Sequence, residues 1–208
     1  VQIDIVDGKF ANPASWPYTA PKELRAMVAG GELLPHLDRI QYEVDLMCTD
    51  AESAAGAFLS LGATRLTFHA ESTTNLPKLI ASARNRFGAG AEFAPELVSF
   101  GLAHNITSDL ALIEPCIGDI AYVQFMGIAK IGRQGQPFDR RVYEKVRVFR
   151  ARHPNIPVQV DGGVSLQSAK ELCAAGVSNL VVGSALLRAS DPAVFIAQFE
   201  ALENPFGV

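Results

Sequence analysis

The sequence lacks the excess of basic residues that marks most nucleic-acid-binding proteins. Its 208 residues include 18 Lys and Arg against 22 Asp and Glu, which gives a net charge of −4, and the pI is about 5.6. No run of adjacent basic residues is longer than Arg140–Arg141. Because a clustered basic patch is the usual electrostatic footprint of nucleic-acid binding, we expect no nucleic-acid partner.

Cysteines and long apolar segments are also scarce. The three cysteines, Cys48, Cys116 and Cys173, are far apart and form no CxxC motif. This spacing favours reduced thiols in the core of a cytoplasmic protein. No apolar run approaches the roughly 18 residues that a membrane-spanning helix needs, and no signal peptide is visible. We therefore expect a soluble cytoplasmic protein with no membrane partner.

Aromatic residues are few, with one Trp, but hydrophobic residues make up 49% of the chain, enough for one large core. Short apolar segments alternate with helical patterns along the sequence. The predicted strands begin at Val1, Gln41, Thr64, Glu96, Ile120, Val158 and Leu180. This alternation predicts parallel strands joined by helices. No change in composition marks a boundary, so we predict one domain over residues 1–208.

The glycine-rich turns distinguish two α/β architectures. Gly162–Gly163 and Gly183–Ser184 each follow a late predicted strand, whereas a doubly wound sheet carries its glycine fingerprint after the first strand. Backbone N–H groups at such turns bind anions, and a phosphate site after strands 7 and 8 is typical of the (β/α)8 TIM barrel. We predict that barrel, with these four residues as phosphate ligands. Seven strands are one short of eight, so we expect the first βα unit to precede Val1.

Seven motifs, in order, resemble those of the ribulose-phosphate 3-epimerase family across essentially the whole chain. They are IDIVDGKF (3–10), YEVDLM (42–47), LTFHAE (66–71), GLAHN (101–105), FMGIAKIGRQGQPF (125–138), VDGGV (160–164) and GSALL (183–187). The resemblance implies a ribulose-phosphate-binding TIM barrel. It also implies an isomerase of carbohydrate metabolism that epimerises C3 of a ketose phosphate such as ribulose 5-phosphate, a substrate of the pentose phosphate pathway.

Two carboxylates match the acid/base pair of that family, Asp4 and Asp161. Epimerisation beside a ketone requires one group to remove a carbon-bound proton and a second group to return a proton on the opposite face. The resemblance therefore implies that Asp4 and Asp161 are catalytic. The alternative is structural, with Asp4 capping a loop and Asp161 accepting hydrogen bonds from nearby turns.

The family's metal site is altered here. Family members hold a divalent metal with the two aspartates and two histidines, and Gln2 and Asp45 occupy the histidine positions. An all-oxygen set of Gln2, Asp4, Asp45 and Asp161 favours Mg²⁺ or Mn²⁺ over Zn²⁺. We therefore regard Asp4, Asp45 and Asp161 as candidate metal ligands. Stabilisation of the enediolate without a metal and loss of epimerase activity are the alternatives.

The resemblance also implies a substrate pocket lined by Met47, Met126 and His69, although core packing would equally explain both methionines. His104 in GLAHN either reaches the site or is a buried structural histidine. Lys130 or Arg133 either adds a cation for the phosphate or is solvated.

Three functions are compatible with these residues. The first is a C3 epimerase of a ketose phosphate, and the second is a degenerate family member that binds a sugar phosphate without turnover. The third is another phosphate-binding barrel enzyme, although enzymes with aldol or decarboxylation activities carry a DxKxxD pattern that YEVDLMCTD lacks. In each case the expected partner is a small sugar phosphate, and we expect a homo-oligomer.

Overall fold

The computed structural model describes residues 1–88 and 98–202. Its strands are β1 (Gln2–Val6), β2 (Glu43–Met47), β3 (Arg65–His69), β4 (Ser99–His104), β5 (Tyr122–Met126), β6 (Val158–Asp161) and β7 (Asn179–Val181). Its α-helices are α1 (Pro21–Gly30), α2 (Ala51–Ser60), α3 (Leu76–Phe87), α4 (Arg141–Arg152), α5 (Leu166–Ala174), α6 (Ser184–Leu187) and α7 (Pro192–Glu200). Short 3-10 helices cover Ala70–Ser72, Leu110–Leu112 and Glu114–Asp119.

The strands follow one another in chain order in the sheet, from β1 to β7. Pairing is parallel from β1 through β4 and from β5 through β7. A doubly wound sheet would reverse its strand order at a switch point, so the sequential order rules out that alternative. The prediction of successive βα units of the TIM-barrel type is confirmed.

The chain divides into two compact units. The first comprises Val1–Ala103 with Ala111–Ala121, and the second comprises His104–Leu110 with Tyr122–Val208. The first unit contains β1 to β3 with α1 to α3, and the second contains β5 to β7 with α4 to α7. One domain over residues 1–208 stays a prediction.

Two predicted segments differ from the structure, and one helix was not predicted. The strand predicted from Glu96 begins at Ser99, and positions 96 and 97 lie outside the described residues. The sequence of residues 108–113 favours a short helix, but the structure has a 3-10 segment over Leu110–Leu112 there. A second 3-10 segment, with a proline in its first turn, follows at Glu114–Asp119. The four-residue helix α6 was not predicted, because it is shorter than a recognisable period.

The sequence favours Asp50 as the N-cap of α2, because Asp is a common N-cap residue, but its side chain does not cap the helix. Its carboxylate instead accepts a hydrogen bond from the hydroxyl of Tyr18, 32 positions earlier in the chain. A carboxylate has few acceptor sites, and here a tertiary donor occupies one in place of the local backbone N–H. The side chains of Asn75, Ser165 and Asp191 do cap α3, α5 and α7.

The strands separate an apolar face from a polar face. Side chains such as Val44, Phe68 and Phe125 are fully buried on the apolar face, as expected for a parallel sheet covered by helices. The alternate positions of the first unit are polar and also buried: Glu43, Asp45, Thr67 and His69. In the second unit, Gln124 and Gln159 occupy such positions and are hydrogen-bonded to each other at 2.6 Å.

The cysteines behave as predicted, because Cys48, Cys116 and Cys173 are all buried and free of disulfides. Burial raises the pKa of the Cys48 thiol to about 12, which leaves it protonated at neutral pH. Within residues 1–88 and 98–202, none of the helices combines the length and the apolar character needed to span a bilayer.

Candidate functional site

Asp4 and Asp45 lie side by side because β1 and β2 pair in register. Asp4 is the Cα partner of Asp45, and paired residues of neighbouring strands project from the same face. One carboxylate oxygen of each lies within 4.8 Å of the other. Burial and the nearby charge of Asp45 raise the pKa of Asp4 to about 6, although a hydrogen bond from Gln2 acts in the opposite direction.

Gln2 precedes Asp4 by two residues on β1, so its side chain lies on the same face. Its amide Nε2 donates a hydrogen bond to Oδ1 of Asp4 at 2.9 Å. Gln2 therefore holds this carboxylate in place as a donor, and a role of its amide oxygen as a metal ligand stays a prediction.

His69 places an imidazole beside Asp45, although positions 2 and 45, where the family has its metal-binding histidines, are Gln and Asp in this chain. Its Nε2 donates to Oδ1 of Asp45 at 2.8 Å, and both side chains are fully buried. Burial lowers the pKa of His69, but the charge of Asp45 and this hydrogen bond outweigh it, so the pKa is raised. The Phe10 ring packs against the imidazole at 5.3 Å between centroids. His69 thus fixes the rotamer of Asp45, and its role as a pocket residue stays a prediction.

The pair formed by Asp4 and Asp45 fits a hard divalent cation. Two adjacent, largely buried carboxylates repel each other when both are ionised, and the raised pKa of Asp4 reflects that repulsion together with burial. Oxygen donors of this kind suit Mg²⁺ or Mn²⁺. Binding of Mg²⁺ or Mn²⁺ at these residues stays a prediction.

Asp161 is the last residue of β6, as the sequence predicted. In the second unit it is the Cα partner of Met126 on β5 and of Val181 on β7. Its carbonyl accepts a 2.6 Å hydrogen bond from the backbone N–H of Gly127. Asp161 thereby occupies the carboxyl end of a central strand of this unit, and its catalytic role stays a prediction.

The two glycine turns begin on neighbouring strands. Because Asp161 pairs with Val181, Gly162–Gly163 and Gly183–Ser184 follow strand ends that lie about 5 Å apart. A Cβ at Gly183 would meet no heavy atom within 4 Å, so there is open space on that side of the backbone. The register thus brings both predicted phosphate turns to one end of the second unit.

The loop after β5 packs directly on the first of these turns. Gly163 has φ +67°, and a Cβ there would lie 2.8 Å from Cα of Phe138. A Cβ at Gly127 would lie 2.4 Å from the carbonyl oxygen of Gly162. Glycine is therefore required at both positions for the loop to approach the turn this closely.

The methionines and His104 have simpler surroundings. Met47 and Met126 end β2 and β5, and both are nearly fully buried, so contact with a substrate stays a prediction. His104 packs edge-on against Phe125, and its Nε2 donates to the carbonyl of Asp109 at 2.9 Å. Its neighbour Ala103 is the Cα partner of His69, so His104 points to the opposite face. Of the two roles considered for His104, the structure supports the structural one.

Comparison with known proteins identifies the family. A model of the ribulose-phosphate 3 epimerase family matches residues 1–187. The ribulose-phosphate 3-epimerase of Eremothecium gossypii is 26% identical over 197 residues, covering 92% of this chain and 76% of that protein. The Mycobacterium leprae enzyme of the same name is 28% identical over 206 residues, covering 95% and 80%. Both are named as epimerases, which are isomerases.

Solved structures support the fold independently. A 3-hexulose-6-phosphate synthase has a TM-score of 0.64 at 20% identity and covers 97% of this chain, which covers 86% of that structure. A 3-keto-L-gulonate-6-phosphate decarboxylase from Vibrio cholerae has a TM-score of 0.62 at 14% identity, with coverages of 97% and 86%. Identities this low establish a shared fold alone. The match over residues 1–187, in contrast, shows that this chain belongs to the ribulose-phosphate 3-epimerase family.

Proposed function

We propose that this chain epimerises C3 of a ketose phosphate such as ribulose 5-phosphate, with Asp4 and Asp161 as its acid/base pair. The observation that carries the proposal is the match of residues 1–187 to the epimerase family, with both aspartates retained, Asp4 within β1 and Asp161 at the carboxyl end of β6. In barrels of this type that end of the strands carries the chemistry.

The two proton transfers need two carboxyl groups, and the enediolate intermediate formed between the transfers must be stabilised. One carboxylate takes the proton from C3, and the C–H electron pair moves into the C2–C3 bond while the carbonyl π pair moves to oxygen. The second carboxyl then donates a proton to C3 from the opposite face, and the ketone re-forms. One aspartate gains a proton and the other loses one, so protons and charge balance.

A divalent cation held by Asp4 and Asp45, with Asp161 as third ligand, would supply positive charge beside the carbonyl oxygen of the substrate. Two neighbours keep the first two carboxylates in place: Gln2 donates to Asp4 at 2.9 Å and His69 donates to Asp45 at 2.8 Å.

The phosphate of the substrate would bind at Gly162–Gly163 and Gly183–Ser184. The register of β6 with β7 supports this assignment, because it brings the two turns to adjacent strand ends. Backbone N–H groups at such turns recognise a phosphate without a charged side chain.

The test is exchange of the C3 hydrogen of ribulose 5-phosphate into deuterated solvent, followed by NMR with Mg²⁺, Mn²⁺ or Zn²⁺ added to metal-free protein. We expect exchange and epimerisation with Mg²⁺ or Mn²⁺. Asp4→Asn and Asp161→Asn should each reduce epimerisation at least about 100-fold. One of the two should retain exchange, because only one aspartate removes the proton from a given epimer.

A thermal unfolding control separates metal binding from catalysis. Mn²⁺ should raise the melting temperature of the wild type and raise it less in Asp45→Asn, because a ligand that binds the folded state stabilises it. Asp38→Asn, at an exposed acidic position next to Arg39, should respond as the wild type does. Absence of C3 exchange with every metal would contradict the epimerase proposal.

The second candidate function is sugar-phosphate binding without turnover. The substitution of both family histidines by Gln2 and Asp45 is the observation that favours it. Ribulose 5-phosphate that binds to the wild type in calorimetry, with no C3 exchange, would support this binding function.

A further inference from the structure

Arg188 lies beside the second glycine turn and was not among the predicted site residues. It directly follows α6, and its Nη2 is 3.5 Å from Oγ of Ser184. The side chain is exposed. Over residues 1–88 and 98–202, none of the ion pairs involves this guanidinium. Its charge is therefore not neutralised by a carboxylate of the described chain.

The loop after β5 reaches the same guanidinium from the other side. Gln136 folds the tip of this loop, because its Nε2 donates to the carbonyls of Lys130 and Arg133. Gly135 at the tip has φ +73°, and a Cβ there would lie 3.9 Å from Nη1 of Arg188. Arg188 thus lies between the loop tip and Ser184, with all of these groups in one compact unit.

We propose that Arg188 is a further phosphate-binding residue, which closes over the phosphate held by the turns at 162–163 and 183–184. This inference rests on the proposed function, since it needs the phosphate at those turns. The turns offer neutral donors, whereas a phosphate monoester carries close to two negative charges at neutral pH. A guanidinium supplies a compensating charge and two parallel N–H groups that match phosphate oxygens.

The surroundings of Arg188 also favour selection of phosphorylated over unphosphorylated ligands. An exposed arginine without an ion-pair partner loses no existing salt bridge when it turns to a phosphate. Its contact with Ser184 is long for a hydrogen bond, so this contact does not hold the side chain in place. Arg188 should therefore favour phosphorylated ligands over their unphosphorylated sugars, while leaving the proton transfers unaffected.

The experiment is calorimetric titration of inorganic phosphate into the wild type and into Arg188→Gln, Arg188→Lys and Arg25→Gln. Arg25 is an exposed arginine on α1 that takes part in none of the ion pairs above, so its variant makes the same chemical change elsewhere. We expect Arg188→Gln to weaken phosphate binding roughly tenfold, as for loss of one charge-assisted hydrogen bond. Arg188→Lys should lose less, and Arg25→Gln should bind as the wild type does.

Kinetics with ribulose 5-phosphate give a second readout. Arg188→Gln should raise KM more than it lowers kcat, since phosphate is remote from C3. Equal phosphate affinity in the wild type and Arg188→Gln would overturn the role of Arg188 and leave the glycine turns as the phosphate site. No phosphate binding by the wild type would overturn the phosphate site of the proposed function, and the role of Arg188 with it.

Discussion

At the scale of single residues, Asp7 is the acceptor on which two loops converge. Its Oδ1 accepts from the backbone N–H groups of Lys9 and Phe10, both at 2.7 Å. Its Oδ2 accepts from the backbone N–H and the hydroxyl of Thr49, both at 2.9 Å. Burial raises the pKa of Asp7, but these four hydrogen bonds together lower it below the ordinary value.

This lowered pKa predicts a defined pH dependence. A carboxyl whose pKa is lower in the folded state stabilises the fold above its unfolded pKa of about 3.9, and the contribution is lost as the pH falls through the folded value. We expect Asp7→Asn to reduce the free energy of unfolding at pH 7 by about 1 kcal/mol. The difference from the wild type should shrink below about pH 4. Urea unfolding between pH 3 and pH 7 measures both quantities.

Asp38→Asn is the matched control for Asp7. Asp38 is exposed and pairs only with its neighbour Arg39 among the described residues, at 3.5 Å. Exposed pairs contribute little, so its substitution should leave the unfolding free energy within about 0.5 kcal/mol of the wild type at every pH. A pH-independent effect of Asp7→Asn would contradict the assignment of its stabilisation to the ionised carboxylate.

Single residues also show the limit of sequence reasoning. Asp4, Asp45 and Asp161 could be singled out because each lies in a motif that resembles one of the family's motifs. The hydrogen bond from His69 to Asp45 could not, because it joins positions 24 apart and depends on the register of β2 with β3. With that register known, the pairing of Asp45 with Thr67 would have placed His69 one step further along the same face.

At the scale of elements, strands and helices could be predicted from periodicity, while loop packing could not. The loop before the 3-10 helix Leu110–Leu112 illustrates this. Lys145 on α4 donates to the carbonyls of Asn105, Ile106 and Ser108 at 2.5, 3.1 and 2.7 Å. These contacts join positions 37 to 40 apart. Nothing in the local pattern of either segment indicates them, since each depends on how α4 lies against β5.

The close packing of the loop after β5 on the turn after β6 predicts how a substitution at Gly127 changes the free energy of unfolding. Gly127→Ala would place Cβ 2.4 Å from the carbonyl oxygen of Gly162, and a backbone atom cannot move aside as a flexible side chain can. We expect a loss of at least about 2 kcal/mol in the free energy of unfolding, as for overpacking. The measurement is urea unfolding followed by far-UV circular dichroism.

Gly118→Ala is the control for that substitution. A Cβ at Gly118 would meet no atom within 4 Å, and the residue is not in the left-handed region. Alanine there should leave stability unchanged within about 0.5 kcal/mol. Equal stability of the Gly127 and Gly118 variants would mean that the loop does not pack on the turn as described.

At the scale of the whole molecule, the family match and the strand order account for the architecture. The last elements of the second unit expose an apolar surface. β7 is the last strand of the sheet. The helix α7, with the sequence PAVFIAQFE, contains no buried residue. Beside it lies a cavity of about 530 Å³ whose lining includes Val177, Leu180, Phe195 and Phe199. Helices of this apolar composition are normally covered on one face.

This surface predicts self-association of the chain. Leu187, Val194 and Ile196 are 78%, 56% and 45% exposed, and exposed apolar surface next to a sheet edge promotes contact between copies. We expect sedimentation velocity at increasing micromolar concentration to detect dimers or larger species. Charged substitutions at Val194 and Ile196, both to Glu, should shift the protein to monomer. Val28→Glu, at an apolar position of α1 that is 37% exposed, should leave association unchanged. A single monomeric species at all concentrations would contradict this prediction and the expectation of a homo-oligomer.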